Sequence, residues 1–434
     1  MATQVIFAPY ILPVTDSYTL YQDHALVIEN DKISAIVPQE VAKNIPADKT
    51  FVLEDHLLMP GLINLHGHSA MTLLRGLADD LALMDWLNNH IWPAEGKFVS
   101  NEFVYDGTLL AMAEMIRSGT TTINDMYFFH EAVARAGIKA GMRTVVGCSI
   151  LEFPTAYGQN AKEYIDLAIR AAHIFYNEPL IRFSLAPHAP YTVADDTFKN
   201  VVELAETHNL AIHCHIHETQ EEINISLKEH GMRPLARLDK LGLLQQRLIG
   251  AHMVHVTDDE ISLLAQRKVN IAHNPASNMK LASGCAPVQK MLDQNINVGL
   301  GTDGAASNNK LDMFAEMRLA ALIAKGFSGN PTDVKAYDAI KMATINGARA
   351  LGIADKTGSL EVGKQADVIA VGLDKLETQP LFNPTSHIVY AAGREQVTHS
   401  WVDGQLLLRN RVLTTLNQAE LLDNAKQWCE KIAG

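Results

Sequence analysis

The stretch Gly61-Leu62-Ile63-Asn64-Leu65-His66-Gly67-His68 is a short apolar run that ends in two imidazoles with a glycine between them. Its length and composition suit a buried strand, on which alternate residues share a face. His66 and His68 therefore aim at one point, and Gly67 leaves room for backbone beside them. Two imidazoles on one face can hold a divalent cation. Alone the pair is weak evidence, because histidines are common both in cores and on surfaces. Its weight depends on what the rest of the chain places beside it.

Working outward, seven further runs of the same kind follow: Thr120–Met126, Arg143–Ile150, Ile181–His188, Leu210–His217, Arg247–Val254, Val269–Ala276 and Asn297–Asp303. Segments with helical periodicity separate them, among them Asn101–Ser118, Asn160–Tyr176, Asp195–His208 and Asp258–Arg267. Gly119 stands where a helix C-cap belongs, just before the second run. Eight β/α units in about 300 residues predict an α/β chain folded as a (β/α)₈ TIM-type barrel. A doubly wound open sheet has the same strand count and is the competing architecture.

The two ends read differently. Ala25–Ile28 and Lys32–Val37 are short strands around a turn at Glu29-Asn30-Asp31. Strand patterns return at Asp367–Val371, Ile388–Ala391 and His399–Val402, and Asp403-Gly404 between apolar flanks is a hairpin signal. A chain of 434 residues is too long for one ordinary core. The expected division is a small β-sandwich domain built from both termini, residues 1–56 and 358–434, around a catalytic barrel at 57–357.

Composition narrows the partners. Lys+Arg 36 against Asp+Glu 49 leaves a net charge of −13, with no broad attraction for nucleic acid or an anionic membrane. A small neutral or cationic molecule is the easier substrate. The sequence holds no run of eighteen apolar residues and opens without a basic, signal-like segment. Cys148, Cys214, Cys285 and Cys429 form no CxxC pair and read as reduced thiols of a cytoplasmic protein.

In a parallel barrel the active site forms at the C-terminal ends of the strands. The last residues of the eight runs supply His66, His68, His188, His213, His215, His217, His252, His255 and His273, nine of the 18 histidines, together with Glu218 and Asp303.

These residues sit in an ordered set of motifs: Pro60–His68, Trp92-Pro-Ala-Glu95, Ala186–Tyr191, His215-Ile-His-Glu-Thr219, Gly250–His255, His273–Asn278, Gly301-Thr-Asp303 and Gly358–Asp367. The set covers almost the whole chain. It resembles the amidohydrolase superfamily, in the branch of nucleoside-type deaminases and triazine hydrolases, and is most similar to the 5′-methylthioadenosine/S-adenosylhomocysteine deaminases. The resemblance implies that His66, His68, His215 and Asp303 bind one metal ion, Zn²⁺ or Fe²⁺. Some relatives bridge two metals with a modified lysine on strand four. Ile181–His188 has no lysine, which favours one metal here.

The resemblance also implies catalytic roles. Glu218 shuttles a proton from the attacking water to a ring nitrogen, and His252 hydrogen-bonds the activated water, with His255 as its rival. Asp303 both ligates and accepts a proton. For the substrate it implies Glu95 on vicinal ribose hydroxyls, His188 near the purine or ribose, and the segment Leu81–Trp92, with Met84 and Trp86, over an apolar 5′-group. Several relatives carry an arginine after strand three, where it meets a substrate carboxylate. Gly147–Pro154 has none and offers Glu152. The expected reaction is hydrolytic deamination of an adenine nucleoside, 5′-methylthioadenosine ahead of S-adenosylhomocysteine or adenosine. Guanine or s-triazine hydrolysis is the nearest rival, and an inactive interaction protein the rival of another class. A homodimer or homotetramer is the family's expectation.

Overall fold

The computed structural model describes residues 2–434. Strands β1 (Thr3–Ile11), β2 (Tyr21–Glu29), β3 (Lys32–Pro38), β4 (Lys49–Val52) and β5 (His56–Pro60) come first. Then follow β6 (Leu62–Gly67), β7 (Thr120–Tyr127), β8 (Arg143–Ile150), β9 (Ile181–Pro187), β10 (Ala211–Ile216), β11 (Leu248–His252), β12 (Asn270–His273) and β13 (Val298–Leu300). The last are β14 (Val368–Gly372), β15 (Val397–Val402), β16 (Gln405–Arg409) and β17 (Val412–Leu413).

Strands β6 to β13 form one eight-stranded sheet in chain order, every neighbouring pair parallel. β7 and β8 are buried at every residue, as strands covered on both faces must be. The two edges meet just beyond β13, where the Asp303 N–H donates to the His66 carbonyl at 2.9 Å. The Asn64 amide braces the same seam, donating to Thr302 Oγ1 at 2.7 Å and accepting from the Thr302 N–H at 2.9 Å. A doubly wound sheet would leave both edges apart. Gly301 makes the closure possible, because a Cβ there would stand 2.8 Å from the His66 nitrogen. The helices begin and end where the sequence says: Ser100 caps Asn101–Arg117, and Gly119 beyond it takes φ +85°.

The terminal strands form a second sheet in the order β17-β16-β15-β14-β5-β1-β2-β3, with β4 on β1. The expected sandwich is therefore one continuous sheet curled over a shared core. Ile28 and Ile33 near one end pack with Leu58, Val368 and Trp401 in a single cluster. Phe51 of β4 meets the Trp401 ring edge-on at 5.3 Å. β5 pairs antiparallel with β14 from His56↔Gly372 to Pro60↔Val368, so the N-terminal part of this sheet runs past residue 56.

Two segments depart from expectation. Ile388–Ala391 is not a strand but the end of a helix, Pro384–Tyr390. Asn383 caps it by accepting from the Ser386 N–H at 3.1 Å, and Pro384 fits its first turn, signals that outweigh the strand propensity of Ile388 and Val389. The helix Gln418–Ala433, expected with the terminal β domain, lies on the barrel instead. Trp428 packs edge-on against Phe103 at 5.3 Å and donates to Asp106 Oδ2 at 2.9 Å.

The barrel and the curled sheet are tied by one buried ion cluster. Arg143, at the start of β8, donates to both oxygens of Asp367 at 2.9 and 3.1 Å and to Asp403 Oδ1 at 2.9 Å. Asp367 also accepts from Thr357 Oγ1 and the Asp403 N–H, and its side chain is fully buried. Removing one partner leaves a buried guanidinium short of its counter-charge. Asp367→Ala is expected to lower stability by about 3–5 kcal/mol, read from urea unfolding, and a loss below about 1 kcal/mol would contradict this reading. Among the described residues no helix is long and apolar enough to cross a membrane.

Candidate active site

The barrel brings the strand-end side chains together. His66 lies one residue before the end of β6 and His68 just past it, His215 lies on β10, His252 ends β11, and Asp303 follows β13. The backbone bends sharply at these ends. His217, His252 and Asp303 take left-handed φ values of 56°, 76° and 62°. Such conformations cost non-glycine residues of order 1 kcal/mol each, and they gather at functional sites.

His66 Nε2 and His68 Nε2 lie 3.3 and 3.1 Å from Asp303 Oδ1. His215 Nε2 is 3.3 Å from His68 Nε2. Donor atoms of His66, His215, His252 and Asp303 all fall within 4.8 Å of one another. Hydrogen bonds fix two tautomers. His68 Nδ1 sits 2.7 Å from the Met126 carbonyl and His215 Nδ1 sits 2.8 Å from the His188 carbonyl. A carbonyl only accepts, so each Nδ1 carries a proton and each ring turns its Nε2 inward. His66 Nδ1 contacts His213 Nε2 at 2.9 Å, and the buried His66 Nε2 has no hydrogen-bond partner. Imidazole nitrogens and a carboxylate oxygen thus converge on one point. The donor set fits one divalent metal ion.

The electrostatics agree. Burial holds His66 down to about 4 and His215 well below its ordinary value, so both rings are neutral. Burial also pushes His68 down, but its contact with Asp303 and the Met126 carbonyl wins and lifts it to about 9. That lift measures how strongly the cluster attracts positive charge. Asp303 is raised by burial and lowered further by His66 and His68, ending well below the usual carboxylate range. Its Oδ1 also accepts from the Gly304 N–H at 2.8 Å. Its Oδ2 accepts from Ser277 Oγ at 2.6 Å and Ser307 Oγ at 2.9 Å, which locks the carboxylate plane.

Glu218 and His252 stand beside the cluster, with Glu218 Oε2 3.7 Å from His252 Nε2. Burial pushes the Glu218 carboxyl up, as suits a group that must take and release a proton. His252 Nδ1 lies 2.8 Å from Asn278 Oδ1, so its Nε2 faces Glu218. His255 points away, its Nε2 2.7 Å from the Ser283 carbonyl. His217 is also turned aside, its ring held between the His255 carbonyl and the Leu235 N–H. His273 is buried behind the site and does not line the cavity.

A cavity of about 250 Å³ opens above the cluster. His68, His188, His215, Glu218, His252 and Asp303 form its floor, and Glu95 and Trp86 its walls. Met84 lies elsewhere, in a small adjoining recess with Leu83, Tyr191 and Glu222. Glu95 Oε1 accepts from Tyr127 OH at 2.6 Å, leaving Oε2 free. Burial raises the Glu95 carboxyl against that hydrogen bond. His188 Nδ1 is 3.0 Å from Thr192 Oγ1, and burial lowers the ring to about 3.

Sequence reasoning missed Tyr127, Ser277, Asn278 and Ser307. Ser277 and Asn278 end the His273–Asn278 motif, so that motif held the signal one helical turn beyond its histidine. Tyr127 ends β7, where only the strand-end rule pointed to it.

Comparison with known proteins matches residues 57–407 to the amidohydrolase family. A 5-methylthioadenosine/S-adenosylhomocysteine deaminase of Teredinibacter turnerae is 48% identical over 426 residues, 98% of this chain and 96% of that one. A 5′-deoxyadenosine deaminase of Methanothermobacter thermautotrophicus is 42% identical, covering 94% of this chain and 95% of that one. The crystal structure of an adenosine deaminase from Xanthomonas campestris with bound zinc superposes with a TM-score of 0.98 at 45% identity, over 100% of this chain and 99% of that one.

Proposed function

This chain belongs to the amidohydrolase family, in its branch of methylthioadenosine and S-adenosylhomocysteine deaminases, and from that premise we propose that it hydrolyses the 6-amino group of an adenine nucleoside, 5′-methylthioadenosine first among them. The observation that carries the reading is the inward convergence of the His66, His68, His215 and Asp303 donor atoms, with the Glu218 carboxyl beside them on the floor of the cavity.

Zn²⁺ is the ion proposed for this donor set, and Fe²⁺ suits the same ligands. When bound, such an ion lowers the pKa of a coordinated water toward neutrality. The chain's residues do the rest. Glu218 takes a proton from the attacking water and gives it to ring N1, which makes C6 electrophilic. Asp303 accepts the second proton of that water, and His252 holds the oxygen as it adds to C6. The proton that Asp303 accepted then reaches the departing amine through Glu218, so that one proton of the water ends on ring N1 and the other on ammonia. Nucleoside and water leave as the inosine-type product and ammonia. Glu95, with Tyr127 on one oxygen, presents the other to the ribose hydroxyls, and His188 flanks the base or sugar. A bare guanine or s-triazine has no use for that carboxylate, which sets the nucleoside reading above those rivals.

The cavity wall sets the 5′-group. Leu83, Trp86, Leu87, Trp92 and Phe153 line it, and none of the described lining residues is lysine or arginine. Glu152 does not supply a polar wall; it accepts from the Ala194 N–H at 3.0 Å outside the lining. A methylthio group fits this surface. The carboxylate of S-adenosylhomocysteine would lie there unpaired, at about 1–3 kcal/mol. The test is ammonia release measured across adenosine, methylthioadenosine, S-adenosylhomocysteine, guanine and melamine. Methylthioadenosine is expected to exceed S-adenosylhomocysteine in kcat/KM by about tenfold to a hundredfold. Turnover of guanine or melamine alone would overturn the nucleoside reading.

A further inference from the structure

Glu218 does its work from an awkward stretch of backbone. β10 ends at Ile216, His217 takes a left-handed φ of 56°, and the helix Gln220–His230 starts three residues later. Thr219 caps that helix by accepting from the Glu222 N–H at 3.3 Å. In an ordinary capping box the third helical residue would answer by accepting from the cap's own N–H. Glu222 does something else. Its Oε1 accepts from the His217 N–H at 2.9 Å and its Oε2 from the Glu218 N–H at 2.9 Å. The carboxyl reaches past the cap and grips the two residues that precede it.

This grip is buried and specific. Glu222 is 4% exposed and lies against Glu218, Leu83, Met84 and Tyr191 in the recess beside the main cavity. Among the described residues its side-chain oxygens accept only these two backbone N–H groups. A buried carboxyl without a cation is an expensive helix cap. Two parallel N–H donors from a left-handed turn are what only a bidentate acceptor can hold.

We propose that Glu222 is the positioning residue for Glu218: its carboxyl fixes the left-handed turn at His217 and so aims the Glu218 side chain at the reacting atoms. The proposal rests on the deaminase reading for what Glu218 does, but the clamp itself is a property of this turn. Glu222 touches neither substrate nor metal ligand. It acts by keeping Glu218 Oε2 on the His252 side of the cavity floor, 3.7 Å from Nε2.

Glu222→Gln keeps the shape but offers one acceptor oxygen, so one N–H faces an amide donor. In the metal-loaded protein this variant is expected to lose kcat for methylthioadenosine by about tenfold to a hundredfold, with KM and bound metal close to the parent's. In a Glu218→Gln background the same change is expected to lower kcat by less than about twofold, because the residue it aims is already disabled. Hydrogen exchange at the His217 and Glu218 amides is expected to quicken in Glu222→Gln and further in Glu222→Ala. Parent-like kcat in Glu222→Gln would overturn the proposal. So would an undiminished effect in the Glu218→Gln background, which would mark a general structural role. If the parent turns over no adenine nucleoside, the deaminase reading fails instead. Amide exchange then still decides the clamp: unchanged exchange in Glu222→Gln overturns it, and faster exchange upholds it. Should Glu222→Ala fail to fold, the isosteric glutamine variant carries the whole test.

Discussion

His215→Ala is expected to yield a folded protein that retains less than a stoichiometric metal ion and has lost more than about 10⁴-fold in kcat/KM. The ring is a rigid part of the site, its Nδ1–H held by the His188 carbonyl at 2.8 Å and its Nε2 turned on the donor cluster. A cation in such a cluster lowers the pKa of its water from far above neutrality to about 7, so its loss removes the nucleophile at neutral pH. Metal analysis of the purified variant, beside turnover of methylthioadenosine, reads both effects. The same assay separates two candidate fourth ligands. Donor atoms within 4.8 Å of one another join His252 to His66, His215 and Asp303, whereas the family resemblance names His68. The contacts favour His68, whose Nε2 lies 3.1 Å from Asp303 Oδ1 and 3.3 Å from His215 Nε2, while the His252 Nε2 faces Glu218. His68→Ala should therefore lose metal as His215→Ala does. His252→Ala should keep metal and lose rate. Full metal content in His215→Ala, or full rate without metal, would remove the basis of the proposed chemistry.

The legible part of this site was the part written in local periodicity. His66 and His68 share a strand face at a spacing of two, and the strand-end rule of a parallel barrel collected His188, His215, His252, Glu218 and Asp303 from runs far apart in the chain. Turn chemistry was legible for the same reason: Gly119 announces a helix boundary from its immediate neighbours. Ile388 and Val389 misled because their β-propensity was weighed without Asn383 and Pro384 upstream. What stayed hidden depends on contacts across the fold. The Asn64–Thr302 seam joins residues 238 apart, and Trp428 meets Asp106 over 322. No spacing rule pairs such residues. The orientation of three imidazoles was hidden too, since it is set by backbone carbonyls from elsewhere in the chain: Met126 for His68, His188 for His215 and Ser283 for His255. That is why His252 and His255 looked equivalent in sequence and do not in structure.

Glu218→Gln is expected to lower kcat for methylthioadenosine by about 10²–10⁴-fold while leaving bound metal and KM nearly unchanged. The change keeps the volume and the contact with Ser283 Oγ, 3.5 Å from Oε1, but removes the group that carries the proton. Two proton movements depend on it, one to ring N1 before water adds and one to the amine as it leaves. Glutamine can donate a hydrogen bond to N1 yet cannot transfer the proton, so ground-state binding survives and the transition state is not reached. The leaving group offers a sharper reading than the rate alone. Chloride departs without a proton, so a 6-chloropurine riboside spares the second movement and keeps the first. The glutamine variant should therefore lose less on the chloro substrate than on the amino substrate, whereas a variant that merely disturbs the cavity should lose the same on both. Equal losses would mean that Glu218 serves the architecture of the floor and that another group delivers the proton to the amine. Its position argues otherwise: a buried carboxyl, raised by that burial, aimed from a clamped turn at the place where the ring must lie.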